Sequence, residues 1–412
     1  MEELLWIHSI IQERLWGKNL KKGHGSSQAY GWLVLVLSFV VRAWSTGLTY
    51  SMGVFLIPLC SYFGWQLSEV ALAPSLGLLV YAISQPLVGR LVDSIGPKRV
   101  IFLGLSAVSA GFLLLPYIQS LQQLYLFYGI LGGFGLGATV PVPTAVLVTN
   151  WFKTRRGLAV GLTNAGIGFG VPALVPLSSW LIVNFGWRDA FMVLGIFTVL
   201  ILLLTLLIRD APVGGNASRP VDEEFSTPVS MVVRSGLFWK MLIPYTVCGF
   251  TVYLSGIHLI PLAVMNGISQ SDASVAVAWM GVIMAVGLII SGPLVDVFGG
   301  RVVLIASYLV RAMILPLLLG RLDLVNLYIF ATVFGFVELA TIPPTVIFCR
   351  KFFGADSMGT AYGLVFMGHQ LGGAAAVFLA GLVATLTGSY SLIIILSCLL
   401  AIIAMGISST IK

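Results

Sequence analysis

Five ionisable side chains lie inside long apolar stretches of the chain, where a charged group has little water to solvate it. They are Arg42, His258, Arg311, Glu338 and His369. A charged group at the centre of a lipid bilayer costs at least about 2.5–3.5 kcal/mol on insertion scales. A residue that bears such a cost is a candidate for ligand binding, for proton transfer or for a structural ion pair.

Arg42 lies eleven residues into the first apolar stretch, which places it about 17 Å deep in a helix that rises about 1.5 Å per residue. Thr46, Thr49 and Gly53 follow on the same helical face. A guanidinium group there could bind a carboxylate through two parallel hydrogen bonds. Two other roles stay open for Arg42, namely a structural bond to main-chain carbonyl groups and a role in gating.

Glu338 is the only acidic residue well inside an apolar stretch, and Thr341 and Thr345 share its helical face. A carboxyl group removed from water favours its neutral form, so Glu338 could exchange a proton near neutral pH. Arg311 is the obvious partner for an ion pair, because antiparallel neighbouring helices can pair and a long arginine side chain could bridge the roughly 7 Å by which the predicted depths differ. The sequence therefore leaves two roles for Glu338, a proton carrier and a structural ion pair with Arg311.

His258 and His369 have side chains that titrate near physiological pH, so both are candidates for proton coupling, although a lone buried histidine is often only hydrogen-bonded. Arg42 and His369 are also candidates for substrate binding, together with four further polar residues of the apolar stretches: Tyr50, Asn164, Tyr253 and Gln370. The sequence has no nucleophile–base pair, no metal-ligand spacing and no phosphate-binding loop. It therefore predicts neither an enzyme, nor a metal site, nor a cofactor.

The elements that hold these residues are predicted to be membrane-spanning helices. Of the 412 residues, 58% are hydrophobic and only 9% are charged, against about 25% charged residues in soluble domains. Apolar runs long enough to cross a bilayer as helices recur along the chain. We place twelve of them at 31–60, 67–90, 100–117, 122–148, 157–183, 188–208, 239–264, 271–295, 301–319, 323–348, 357–386 and 390–409.

The distribution of lysine and arginine predicts the orientation of these helices. If the N-terminus is cytoplasmic, 18 of the 22 Lys and Arg residues fall in cytoplasmic segments, and the outer loops hold only Arg188 and Arg321. This is the bias that the positive-inside rule describes. We therefore expect a multi-pass protein of the cell inner membrane or plasma membrane with both termini in the cytoplasm.

The polar segments divide the chain into four parts. Residues 1–28 form a cytoplasmic tail, read either as an interfacial helix or as a disordered extension. Residues 29–208 form a six-helix bundle, residues 209–238 a cytoplasmic linker, and residues 239–412 a second six-helix bundle. The predicted fold is an all-α membrane protein with twelve transmembrane helices in two pseudo-symmetric bundles.

The two bundles repeat each other in sequence. Gly89–Gly96 and Gly292–Gly299 both read G-x-L-V-D-x-x-G at a separation of 203 positions. Pro143-Thr144 and Pro344-Thr345 repeat at a separation of 201 positions. Such an internal duplication is typical of carriers, in which one half rocks against the other around a central site.

The segment from Gly89 to Arg99 resembles the loop between helices two and three of the major facilitator superfamily, and the resemblance extends over the chain from about Gly31 onward. It implies the twelve-helix fold of secondary carriers. It also implies a gating role, or else only a topology-anchoring role, for the two loops that contain Gly89, Asp93, Gly96 and Arg99 in one half and Asp296 and Arg301 in the other.

Three further segments are similar to the monocarboxylate porter branch and its oxalate/formate exchanger relatives: Tyr50–Phe55, Trp151–Ala159 and Gly186–Arg188. The chain departs from that branch in helix eight, which has no cation after its start. The resemblance implies a monomeric secondary transporter for a small organic anion such as a monocarboxylate. Its expected partners are that substrate, a proton or a counter-substrate, and membrane lipid, but no nucleic acid. The alternative is a proton-driven exporter of amphiphilic or cationic compounds.

Overall fold

The computed structural model describes residues 25–152, 156–209 and 229–411. Within these ranges, twelve helices are long and apolar enough to cross a membrane, as predicted. In chain order, α1 to α12 span Tyr30–Phe63, Leu67–Ile95, Pro97–Tyr117, Leu121–Trp151, Leu158–Phe185, Trp187–Leu207, Gly236–Met265, Gln270–Phe298, Gly300–Leu318, Leu324–Phe353, Ala361–Thr387 and Ser391–Ser408. The chain is therefore a multi-pass, all-helical membrane protein.

The predicted tail and linker are only partly described. Residues 1–24 and 210–228 lie outside the described residues, so the expected interfacial helix cannot be placed. The helix that contains α1 already begins at Gly25, inside the predicted tail. A short helix, Val229–Arg234, and the first turn of α7 lie within the last part of the predicted linker.

Glycines allow the helices to approach each other closely where lipid supplies no hydrophobic driving force. A Cβ atom at Gly133 of α4 would lie 2.5 Å from the carbonyl oxygen of Gly77 in α2, and one at Gly135 would lie 2.6 Å from that of Gly104 in α3. The glycine-rich run of α4 is thus a packing surface.

The repeated loop motif ends in a glycine that the backbone requires. Gly96 has φ +87° between α2 and α3, and Gly299 has φ +82° between α8 and α9. Residues with a Cβ atom rarely adopt this conformation. The two glycines therefore make the same turn in each half and start the next helix at the same angle.

Helices α4 and α10 are both interrupted at equivalent positions. In α4 the helical segment Gly133–Thr139 ends before Val142 starts the next segment. In α10 the segment Leu324–Glu338 ends before Ile342 starts the helical run that continues to Thr387. The duplicated Pro-Thr pairs lie just after these interruptions. At each break, side chains of neighbouring helices donate to main-chain carbonyls: Tyr81 to Val140, and Arg311 to Val337 and Glu338.

Because the number of spans is even, both ends of the described chain lie on the same face of the protein. We call this face the terminus face and the opposite one the far face. Towards the far face the two halves are in contact. The Ser68 amide donates to Thr385 Oγ1 at 2.9 Å, and Ser75 Oγ donates to the Ala374 carbonyl at 2.8 Å. Ser179 Oγ is 3.5 Å from the Gln270 carbonyl. These contacts close the far side of the interface.

Towards the terminus face the halves are apart. Four glycines of the helices that meet at the interface have nothing within 4 Å of an added Cβ atom: Gly89, Gly161, Gly292 and Gly363. The protein therefore adopts a conformation that is closed at the far face and open towards the terminus face.

Candidate functional site

A central cavity lies between the two halves at the depth of the helix breaks. Its empty space is about 610 Å³, which includes space open to solvent. Helices from both halves line it with Arg42, Ser45, Thr46, Thr49, Tyr50, Tyr81, Leu136, Val140, Ile167, Tyr245, Val252, Tyr253, Leu339, Ile342, Phe366, His369 and Gln370. Of the six predicted substrate-binding residues, the structure brings five together here.

Arg42 is the only cationic residue of fixed charge in this lining, and no lining residue is acidic. The Arg42 side chain is 91% buried, since its exposure is 9%. It lies beside the Tyr81 hydroxyl, but its Nε atom is buried and has no hydrogen-bond partner. The Nε atom of Arg311 is in the same state, so the feature that distinguishes Arg42 is its place in the cavity lining.

The opposite wall is aromatic and belongs to the C-terminal half. The Phe366 and His369 rings are parallel with centroids 5.8 Å apart, and the Tyr245 ring is 5.0 Å from His369. Gln370 Oε1 accepts from the Tyr253 hydroxyl at 3.0 Å and is 3.1 Å from His369 Nδ1. The Gln370 Nε2 atom is buried and has no partner. It is thus a second free donor at this site.

Glu338 lies at the break of α10, is completely buried and is not part of the cavity lining. Its Oε1 atom accepts a hydrogen bond of 2.7 Å from the Tyr50 hydroxyl of α1, whereas its Oε2 atom is buried without a partner. The Glu338 carboxyl group therefore reaches the cavity only through Tyr50, a connection that crosses from one half to the other.

Arg311 does not form the predicted ion pair with the Glu338 carboxylate. Its Nη2 atom donates to the main-chain carbonyls of Val337 at 2.9 Å and Glu338 at 2.6 Å, and its Nη1 atom donates to Thr251 Oγ1 at 2.8 Å. The last carbonyls of a helical segment lack partners within the helix. Arg311 therefore caps the broken end of α10, and its charge is directed at main-chain oxygens.

His258 is not part of the cavity lining either. Its Nε2 atom is 2.9 Å from the Val377 carbonyl, and its Nδ1 atom is 2.9 Å from the Tyr390 hydroxyl. A carbonyl can only accept, so Nε2 carries the proton. His258 thus joins α7 to α11 and to the start of α12, and the structure does not bring it to the cavity where a coupled proton would be needed.

The residues of the two candidate gating loops are exposed at the terminus face. Asp93 and Arg99 of the first half and Asp296 and Arg301 of the second half are all solvent-accessible. The described part of the chain contains no ion pair between Asp93 and Arg99. This arrangement fits a conformation in which the terminus face is open.

Asn164, the sixth predicted substrate-binding residue, is half-buried on α5 outside the cavity lining. Among the lining residues that the sequence analysis did not identify are Tyr81 and Phe366. They are aromatic residues in apolar helices, and nothing in the sequence distinguishes them from residues that face lipid. Cys248 also escaped it, although its Sγ atom is 3.1 Å from Thr341 Oγ1 at the break of α10.

The family model of the Major Facilitator Superfamily matches residues 35–267 and 246–409. The chain belongs to this superfamily of transporters. It is 25% identical to the uncharacterized MFS-type transporter YcxA of Bacillus subtilis, over 92% of this chain and 94% of that protein. It is 26% identical to monocarboxylate transporter 13 of Rattus norvegicus, over 88% and 84% of the two chains. It is also 31% identical to the oxalate:formate antiporter of Oxalobacter formigenes, over 59% and 57%.

A solved structure of the same fold is that of a bacterial homologue of the human lysosomal transporter Spinster, in an inward-facing and occupied conformation. It superimposes with a TM-score of 0.77 over 92% of this chain and 96% of that one, at 15% sequence identity. The likeness confirms the predicted fold of this superfamily member.

Proposed function

We propose that this transporter moves a small organic anion such as a monocarboxylate across the membrane by alternating access, together with a proton or in exchange for a second anion. The observation that carries the proposal is Arg42, a buried guanidinium group in the lining of the cavity between the halves, which contains no acidic residue. The anion would complete the hydrogen bonds of this group.

The charge of the cavity supports an anionic substrate over a cationic one. Arg42 is the one lining residue with a permanent charge, and Glu338 lies behind Tyr50. A cationic substrate would have to sit beside Arg42 without a facing carboxylate, at a cost that grows as water is excluded. The exporter of cationic compounds therefore has less support than the anion carrier.

The functions given in the names of the relatives also support an anionic substrate. Several are monocarboxylate transporters, and another is an oxalate:formate antiporter. We infer that this chain shares their general class of substrate, with Arg42 of α1 supplying the positive charge that α8 lacks.

We further propose that the terminus face is cytoplasmic, because it carries most of the lysine and arginine residues. The structure would then be open to the cytoplasm. In the other conformation, Asp93 and Arg99 and their counterparts Asp296 and Arg301 would come together and hold this face closed. A single chain contains the whole cavity, so a monomer would suffice.

Replacement of Arg42 by Ala tests the substrate anchor. We expect Arg42→Ala to abolish uptake of formate, acetate, lactate and oxalate into proteoliposomes and to remove the thermal stabilisation that these anions give to the purified protein. A ligand at 100 times its Kd stabilises by about 2.7 kcal/mol, so its loss is measurable. Arg321→Ala, at an exposed arginine beyond α9, is the matched control.

The result that would contradict the anchor role is normal uptake by Arg42→Ala. Stabilisation of the wild-type protein by lipophilic cations alone, with no response to any of the four anions, would instead support the exporter. Arg42→Ala should melt within a few degrees of the wild type without ligand, because Arg42 has an unfilled donor in the folded state.

A further inference from the structure

Tyr50 is the only link between the cavity and the Glu338 carboxyl group among the described residues. The Tyr50 side chain lines the cavity, and its hydroxyl is 2.7 Å from Glu338 Oε1. Glu338 itself has no exposed surface, and its Oε2 atom has no partner. Any hydrogen-bonded connection between a ligand in the cavity and the Glu338 carboxyl group therefore passes through the Tyr50 hydroxyl.

The direction of this hydrogen bond depends on the protonation of Glu338. An ionised carboxylate can only accept, so Tyr50 must donate its O–H to it. If the proton of a neutral carboxyl group were on Oε2, its O–H would be an unsatisfied donor, because no acceptor is available there. The proton therefore belongs on Oε1, where it can be donated to the Tyr50 oxygen. The Tyr50 O–H is then free to turn towards the cavity.

The other groups around this pair do not compete for that bond. Arg311 of α9 is engaged with the main-chain carbonyls of Val337 and Glu338 and with Thr251. Cys248 of α7 contacts the Thr341 hydroxyl and lies near His369 of α11. Tyr253 of α7 lies near Tyr50, Glu338 and Arg42, and its own hydroxyl donates to Gln370.

We propose that Tyr50 couples proton binding to anion binding: protonation of Glu338 reverses the Tyr50–Glu338 hydrogen bond and so releases the Tyr50 hydroxyl as a donor to the anion in the cavity. This inference rests on the proposed transport of an organic anion with Arg42 as its anchor. By linkage, the bound anion favours protonation of Glu338 to the same extent as the proton favours the anion.

The proton reaches Glu338 along the same connection. A proton from water or from a carboxylic acid in the cavity is added to the cavity side of the Tyr50 oxygen, while the original hydroxyl proton passes to Glu338 Oε1. The net change is one proton gained by Glu338, with Tyr50 unchanged in composition. The reverse transfer releases the proton after the anion has left.

The test is the affinity of purified protein for formate, acetate, lactate and oxalate, each measured by thermal stabilisation at pH 6, 7, 8 and 9. In the wild type we expect binding to weaken by roughly tenfold from acid to alkaline pH, within the range of typical coupling. Tyr50→Phe should bind with the weak, alkaline-type affinity at every pH. Glu338→Gln, whose amide can donate to Tyr50, should bind with the strong, acid-type affinity at every pH.

The affinity at which Tyr50→Phe becomes independent of pH distinguishes the coupling role from a change in the charge of Glu338 alone. If Tyr50→Phe only left Glu338 permanently neutral, its affinity would be flat at the strong level, which would overturn the proposal. A pH dependence that persists in Tyr50→Phe would also overturn it, because charge alone would then carry the coupling. Tyr125→Phe, which removes a hydroxyl bonded to the Glu69 carbonyl outside the cavity lining, should keep the pH dependence.

Failure of the proposed function would be recognised separately. If none of the four anions stabilises the wild type at any pH, the anion carrier and the coupling both fail. If Arg42→Ala loses binding while the wild-type affinity is the same at all pH values, the proposed anion site is supported and the proposed coupling through Tyr50 is wrong.

Discussion

The two buried arginines of the described residues differ in what their guanidinium groups contact. Arg311 has no exposed surface, and its two Nη atoms make three hydrogen bonds to α7 and to the break of α10. Arg42 is buried in the cavity lining, and the Nε atom of each arginine is buried without a partner. An arginine whose Nη atoms are bonded to protein oxygens holds structure together, whereas one that lines a cavity can bind a ligand. The same residue type thus has a structural role in α9 and a candidate functional role in α1.

Replacement of Arg311 by Ala should destabilise the protein strongly. It leaves the carbonyls of Val337 and Glu338 and the hydroxyl of Thr251 without their donor, at about 1–3 kcal/mol for each unsatisfied group. The melting temperature of the detergent-purified protein measures this loss. The exposed Arg301 provides the control, since Arg301→Ala should leave the melting temperature nearly unchanged. A stable Arg311→Ala protein would show that the break of α10 does not need its cap.

At the scale of elements, the site depends on interrupted helices and on one buried helix. Three residues at the breaks in α4 and α10 line the cavity: Val140, Leu339 and Ile342. The break in α10 also places Glu338 at the end of a helical segment. Helix α7 is buried over 94% of its most apolar stretch because it packs against both halves. Such a helix must carry small residues wherever another backbone approaches.

Gly249 of α7 illustrates this requirement. A Cβ atom at Gly249 would overlap the His369 carbonyl oxygen of α11. We expect Gly249→Ala to push α7 and α11 apart, at about 1–3 kcal/mol for overpacking, and to impair transport by displacing the His369 wall. Melting temperature and uptake measure the two effects. Gly363→Ala is the matched control on α11, because its Cβ atom would meet nothing within 4 Å. Equal behaviour of the two variants would contradict the close-packing explanation.

At the scale of the whole molecule, the two halves meet towards the far face and separate towards the terminus face. The bonds of Ser68 to Thr385 and of Ser75 to Ala374 belong to the closed side. Gly89 and Gly292 face open space on the other side. Alternating access requires the far-face contacts to break in each cycle, so a covalent link across them should stop transport.

A disulfide between cysteines at positions 68 and 385 should trap this conformation. The Ser68 amide is 2.9 Å from Thr385 Oγ1, so the two positions are close. We expect the Ser68→Cys/Thr385→Cys double variant to lose uptake on oxidation and to regain it on reduction, while either single variant stays active under both conditions. Uptake that continues after complete cross-linking, verified by mass spectrometry, would mean that the far-face contacts do not open during transport.

The sequence by itself determined the class and the symmetry of the protein. Charged residues are too few to cover a water-facing surface, so long apolar runs had to become membrane-spanning helices, and the offset of about 202 residues between repeated motifs predicted two similar halves. Both conclusions depend on local composition and spacing. Arg42 could be selected for the same reason, because a cation deep in an apolar run stands out without knowledge of its neighbours.

Only the tertiary structure decided which of the buried polar groups meet. Arg311 and Glu338 were a reasonable ion pair by depth, yet the break in α10 directs Arg311 to main-chain oxygens and leaves the carboxyl group to Tyr50, 288 residues away in sequence. The sequence likewise did not indicate which face is open, because both conformations use the same helices. These features depend on the rotation of each helix about its axis and on how the two halves meet. The hydrophobic pattern contains little information on either, because lipid and neighbouring helices are equally apolar.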